Sequence, residues 1–287
     1  MQAAGAITVT EPYSELPVQR IQRSRGLAPL NVRELWEYRE LLYFLIWREV
    51  KVRYKQTLLG IVWAVVQPFF TMLVFTIVFS RFGRVPSDGL PYPVFAFCAL
   101  LPWQLFAFAL AESSNSVVAN QRLITKVYFP RLIIPLSAIC VGLADFVVGF
   151  AVLLALMAYY GIAPGAAVWT LPLWTGFAVA TALAVGLWLS ALNVRYRDVR
   201  YTVPFLTQLW LFATPVAYPL SVVPASWRAL FALNPMVGVV EGFRWALLGN
   251  GAAPPLAVAV SALTVSVVLC SGLFYFSRTE RTFADIV

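Results

Sequence analysis

Apolar positions along this chain collect into six long runs, each bounded by short polar or basic stretches. The first, Leu58 to Phe79, holds 22 residues and is interrupted by little more than Gln67 and Pro68. At a helical rise it is about 33 Å long, enough to cross the hydrocarbon core of a bilayer. Further runs cover about 94–112, with Pro102 inside and Glu112 at its end; 132–160, with Asp145; and 171–193. A fifth, about 201–219, is broken by Pro204, Pro215 and Pro219, and a sixth covers about 254–276. The pattern predicts an all-α integral membrane protein with six transmembrane helices over 58–276.

The intervening stretches predict smaller elements. Residues 1–30 mix Pro12, Pro17, Pro29, glycine and charge without periodicity, which predicts a flexible tail with no cleavable signal peptide. Over 31–57, Asn31 is a helix N-cap. Behind it Val32, Leu35, Trp36, Leu42, Phe44 and Leu45 alternate with Glu34, Glu37, Arg39 and Glu40. That segment is too polar to span and predicts an amphipathic helix in the interface plane; the alternative is a helix packed on its own protein. Residues 113–131 are polar and basic, long enough for a short helix outside the bilayer. The pieces 229–233 and 236–249, split at Asn234-Pro235, are too short or too charged to span. They predict a re-entrant pair over 227–249 ahead of the last span. Residues 277–287 form a short tail.

Charge sets the orientation. Of 21 Lys and Arg residues, 17 lie in the N-terminal segment, the 112–132 and 193–201 loops and the C-terminal tail. The other side carries four: Arg81, Arg84, Arg228 and Arg244. This bias places both termini in the cytoplasm. The net charge of +8 would suggest nucleic acid in a soluble protein. With 61% hydrophobic and 12% charged residues, and a mean hydropathy of +0.78, it signals topology and anionic lipid instead.

Several chemistries drop out. There is no histidine, and Cys98, Cys140 and Cys270 lie inside apolar runs without paired spacing, so no metal site or disulfide framework is expected. No G-x-x-x-x-G-K-[ST] loop occurs, so energy from ATP has to come from another chain. What remains are polar groups within spans. Asp145 is the clearest, because an acid at membrane depth costs roughly 3 kcal/mol; a purely structural role, tied to another span's donors or protonated, is preferred over a proton relay.

Trp63, Gln67 and Phe70 share one helical face, as do Gln104, Phe108 and Glu112, then Gln208, Phe212 and Pro215, and separately Thr207, Thr214 and Tyr218. Amides and hydroxyls alternating with rings suit a sugar polymer, whose C–H faces stack and whose hydroxyls accept and donate hydrogen bonds. The same residue types also glue helices together, and both readings stay open. NQRLITKVYFPR, 120–131, suits docking of a soluble partner.

The segments VKVRYKQTLLGIVWAVVQPFF, LITKVYFPRLIIPLS, NVRYRDVRYTVPFLTQLWLFATPVAYP and FALNPMVGVVEGFRWALLG occur in that order. Together they resemble the transmembrane subunit of polysaccharide-exporting type-2 ABC transporters, above all the Wzm-type O-antigen exporters, with capsule and teichoic-acid exporter subunits similar. The resemblance implies a permease without enzymatic activity of its own, in a bacterial inner membrane. It implies a homodimer with two copies of a separate ATPase that binds ATP and Mg, exporting a lipid-pyrophosphate-linked glycan through a channel at the dimer interface. It also implies a coupling helix within 113–130. On this reading Arg48, Lys51, Arg53 and Lys55 meet the lipid pyrophosphate, while Gln121, Arg122, Lys126, Tyr128, Arg195 and Arg197 meet the ATPase. The rivals are an exporter of lipid or drug with the same architecture, and an ion-coupled transporter using Asp145 and Glu112.

Overall fold

The computed structural model describes residues 32–55, 60–249 and 255–286; the expected tail at 1–30 and the start of the first run at Leu58 lie outside them. Eleven α-helices appear among the described residues, without a strand. The first two are α1 (Val32–Glu37) and α2 (Arg39–Lys55). Next come α3 (Gly60–Phe75), extended by a π-helical turn over Thr76–Phe82, and α4 (Tyr92–Ala119). After them come α5 (Gln121–Ile124), α6 (Ile133–Tyr159), α7 (Leu171–Arg195), α8 (Val199–Phe212), α9 (Ala225–Ala232), α10 (Pro235–Leu248) and α11 (Pro255–Ile286).

Among the described residues, five stretches are long and apolar enough to cross a membrane: Val62–Phe82, Tyr92–Ala119, Ile133–Tyr159, Val168–Arg195 and Val258–Glu280. They match five of the six expected runs. The expected span at 201–219 differs. Its helix, α8, has 14 residues, about 21 Å against a core of about 30 Å. Pro215 has no N–H and disfavours helical geometry at Thr214, so the helix stops at Phe212 and the chain continues as turns.

α4 is the central helix, packed by α3, α6, α7, α8 and α10. Its most apolar window is 78% buried, against 11% for the α3 stretch, which lies at the edge. α4 also runs further than expected. Residues 113–119, predicted as part of an outside loop, are its last two turns, and Ser113, Ser114, Ser116 and Val117 are buried. Ser114 and Ser116 are tolerated there because their hydroxyls bond their own helix: Ser114 donates to Ala111 O at 2.8 Å and Ser116 to Ser113 O at 2.7 Å. Small side chains also admit α7, since a Cβ on Gly186 would sit 2.5 Å from Ser113 Oγ. Asn193 on α7 ties the seam, donating to Ser114 O (3.0 Å) and Asn115 Oδ1 (3.1 Å).

Two further boundaries moved. α11 continues through the expected tail to Ile286, because Phe276 and Phe283 pack edge to face and are both buried. The N-terminal segment breaks at Tyr38 into α1 and α2, and its apolar residues do not form a single stripe. Leu35, Leu41 and Leu45 pack on the protein, whereas Trp36, Tyr43, Phe44 and Trp47 are exposed.

An apolar cluster defines one pole. Leu45, Val117, Ile124, Phe129, Ile133, Val194, Phe276 and Phe283 gather α2, the end of α4, the start of α6 and the ends of α7 and α11. We call this the basic pole, since Lys and Arg concentrate there. At the far pole, Tyr92 at the start of α4 donates its hydroxyl to Ala217 O at 2.6 Å, and Gly165 N donates to Leu247 O at the end of α10. The chain therefore passes from the basic pole at Arg197 to the far pole by Ala217.

Candidate functional site

Non-helical backbone surrounded by spanning helices has to find hydrogen-bond partners in the protein. The turn segment 213–218 finds them through side chains. Asn234, the N-cap of α10, donates from Nδ2 to Ala213 O (3.1 Å) and Thr214 Oγ1 (3.0 Å). Its Oδ1 accepts from Met236 N and Trp210 Nε1. Arg244, 5% exposed, donates to Val216 O at 2.9 Å and to Tyr218 O at 3.4 Å. It pairs with Glu241 at 3.0 Å and lies 3.7 Å from the centroid of the Phe95 ring. Together with Tyr92 on Ala217, these side chains bracket the break after α8.

The break divides the expected pathway residues. Trp63, Gln67 and Phe70 form an exposed stripe on α3. Gln208 and Phe212 form one on α8, in line with exposed Tyr201 and Phe205. The side-chain amides of Gln67 and Gln208 make no hydrogen bond among the described residues. Thr207 turns aside and bonds Val203 O and Pro204 O of its own helix. Thr214 is buried under Asn234, and Tyr218 donates to Phe212 O, so both serve the bracket. On α4, Gln104 and Phe108 are half-buried and Glu112 is exposed.

Phe108 belongs to a second constellation, at the basic end. Arg53 Nη2 lies 2.6 Å from Asp145 Oδ2, and its guanidinium stacks 4.5 Å from the Phe108 ring centroid. Tyr54 donates its hydroxyl to Asp145 Oδ1. Burial, then the hydrogen bond to Asp145, pushes the Tyr54 hydroxyl up to about 12, so it stays a neutral donor. α6 admits Phe108 through Gly142, whose Cβ would fall 2.7 Å from the ring. The other three cations point elsewhere. Arg48 bonds Glu49 (2.5 Å) and Asn120 Oδ1 (3.1 Å), Lys51 sits 4.1 Å over the Trp47 ring, and Lys55 is exposed. The structure thus brings Arg53 and Asp145 together and leaves Lys51 and Lys55 on the surface.

The 120–131 connection is two-sided. Ile124 and Phe129 are buried in the basic-pole cluster. Gln121, Arg122, Lys126 and Tyr128 are exposed, Tyr128 by 69%. Arg195 and Arg197, in the α7–α8 connection, are exposed at the same pole, with Arg195 against the Tyr196 ring at 5.5 Å. The loop thus keeps its apolar anchors inward and its cations outward.

Residues 40–248 match the family described as ABC-2 type transporter. The chain belongs to that family. Among its curated relatives is the "O-antigen export system permease protein RfbA" of Myxococcus xanthus, 36% identical over 256 residues, covering 87% of this chain and 96% of the relative. A protein of the same name from Klebsiella pneumoniae is 29% identical, covering 86% and 95%. The "Polysialic acid transport protein KpsM" of Escherichia coli is 24% identical, covering 82% and 91%.

Within this ABC-2 family member, sequence reasoning missed three contributors: Tyr54, Asn234 as a four-way ligand of the break, and Arg244 as its clamp. Asn234 carried a signal, an N-cap ahead of proline. Arg244 carried one too, a lone cation in an apolar piece, but its partners lie 26 and 28 residues away.

Proposed function

We propose that this chain is the permease subunit of an ATP-driven polysaccharide exporter, moving a lipid-linked, O-antigen-like glycan out of the cytoplasm. The near full-length similarity to a permease named for O-antigen export carries the reading. In it, two copies assemble with a separate ATPase, and the exposed α3 and α8 stripes face each other across a conduit between copies. Aromatic rings at Trp63, Phe70 and Phe212 give a sugar polymer stacking surfaces, while Gln67 and Gln208 offer amides for its hydroxyls. Unsatisfied amides on lipid-facing helices would be costly, which supports burying these stripes in an assembly.

The crossing count follows the same reading. α8 and the bracketed segment to Ala217 together travel from pole to pole, making a sixth crossing. Both ends of the described chain, α1 and the end of α11, then lie at the basic pole, which the positive-inside bias puts in the cytoplasm. α9 and α10 become the re-entrant pair on the opposite side. ATPase motion enters at Arg122, Lys126, Tyr128, Arg195 and Arg197. Lys51, Lys55 and Arg48 line the approach for a pyrophosphate headgroup, with Arg53 held beside them by Asp145. An ion-coupled mechanism is disfavoured because Asp145 is engaged by Arg53 and Tyr54.

The test is the purified complex. The chain should co-purify with an ATPase whose turnover rises with a lipid-linked glycan, and cells lacking the chain should retain polymer inside. Export that continues without the ATPase would overturn the reading.

A further inference from the structure

A cavity of 460 Å³ opens between α7, α8, α9 and α11, lined by Ala184, Val185, Trp210, Leu230, Phe231 and Val268. A second of 380 Å³ shares Val185, Trp210 and Ala213 and continues toward Leu189 and Val203. The two make one groove along the side of α8 that carries Val203, Trp210 and Ala213. The stripe of Phe205, Gln208 and Phe212 lies on the opposite side of that helix, so the groove is separate from the proposed conduit.

Its depth follows from helix rise. Thr181 and Val185 lie ten and fourteen residues into α7, and Thr264 and Val268 nine and thirteen into α11. That is roughly 14 to 21 Å from the far end, the middle of a bilayer core. Every polar group along the wall is already spent. Thr181 and Thr264 bond Phe177 O and Val260 O of their own helices. Trp210 Nε1 is held by Asn234, whose amide serves Ala213 and Thr214. The wall offers nothing to water or to a sugar hydroxyl. Beside it, Leu209, Leu233, Leu263 and Val267 are all more than half exposed, so the groove opens to whatever surrounds the helices. Arg228, two residues before Leu230, faces away from it around α9 and is spent on Val223 O (3.1 Å) and Ser221 O (3.4 Å).

We propose that this groove is a binding site for one acyl chain of a membrane phospholipid, its hydrocarbon lying along α8. The lipid fills the space the protein leaves between α8 and α11, beneath α9. It thereby supports the α9–α10 turn, where Ser261 on α11 donates to Ala232 O at 3.1 Å.

The probe is phosphatidylglycerol with a photoactivatable diazirine in one acyl chain, in nanodiscs holding the full-length protein. Labelled peptides are mapped by mass spectrometry. Labelling should concentrate at Val185, Leu230 and Val268, above exposed sites such as Leu173 and Val147. Val185→Trp should bring it down to the surface level without changing Leu173. If Val185→Trp does not fold, Ala184→Phe fills the same groove. Uniform labelling, or labelling unchanged by a filled groove in a folded variant, overturns the proposal. So does cysteine cross-linking of Leu230 or Val268 between two copies without lipid label, which would make the groove a protein interface.

Discussion

Arg53 and Asp145 meet at 2.6 Å across 91 intervening sequence positions, joining the end of α2 to the middle of α6. Their side chains keep 42% and 23% of their surface exposed. The pair is therefore worth less than the roughly 3–5 kcal/mol lost on breaking a fully buried one. A coupling of about 1 kcal/mol is expected. Asp145→Asn and Arg53→Gln should each lower the thermal midpoint in detergent, and the double variant should lose less than the sum. Strict additivity would mean that the two side chains do not stabilise each other.

Arg244 makes a larger prediction. It is buried, it satisfies the carbonyls of Val216 and Tyr218, and it is the partner of Glu241. Arg244→Met leaves those acceptors and an acid without a donor, at a cost of about 3 kcal/mol or more. Arg228→Gln, at an exposed position, should cost under about 1 kcal/mol. Asn234→Ala removes four hydrogen bonds at the same break and should resemble Arg244→Met. Thermal stability and yield of purified protein check all three.

The five long spans were legible because helical runs of apolar residues need no knowledge of their neighbours. The rest depended on partners distant in sequence. The helix runs on past Glu112 through the serines, and nothing in the sequence hints that the hydroxyls of Ser114 and Ser116 will bond their own helix. Asn193, which secures that seam, lies 78 and 79 positions from its partners. Asp145 was visible as an anomaly, but neither Arg53 nor Tyr54 could be matched to it by spacing. Thr214 and Tyr218 showed a helical spacing with Thr207 that the proline-terminated α8 does not keep.

Close helix contacts predict opposite outcomes for two glycines. A Cβ on Gly242 would enter the Trp174 indole, while one on Gly176 meets nothing within 4 Å. Gly242→Ala should cost about 1–3 kcal/mol through overpacking. Gly176→Ala should be neutral or stabilise by up to about 1 kcal/mol, since alanine favours helix. Thermal unfolding of the two variants side by side decides it; equal effects would refute the packing at α7 and α10.

The 120–131 loop separates folding from coupling within a few residues. Ile124 and Phe129 are its anchors, 5% and 4% exposed, and truncating either to alanine should cost about 2–4 kcal/mol. Arg122, Lys126 and Tyr128 face outward and touch little of the chain, so replacing them should leave the thermal midpoint within about 0.5 kcal/mol of the parent. If they receive the ATPase, Arg122→Glu with Lys126→Glu should abolish polymer export and co-purification of the partner. The stability of the chain alone should not change. Charge reversal that leaves both export and co-purification intact would remove this loop from the coupling path. The cations of the α7–α8 connection, Arg195 and Arg197, would then be left to carry the contact alone.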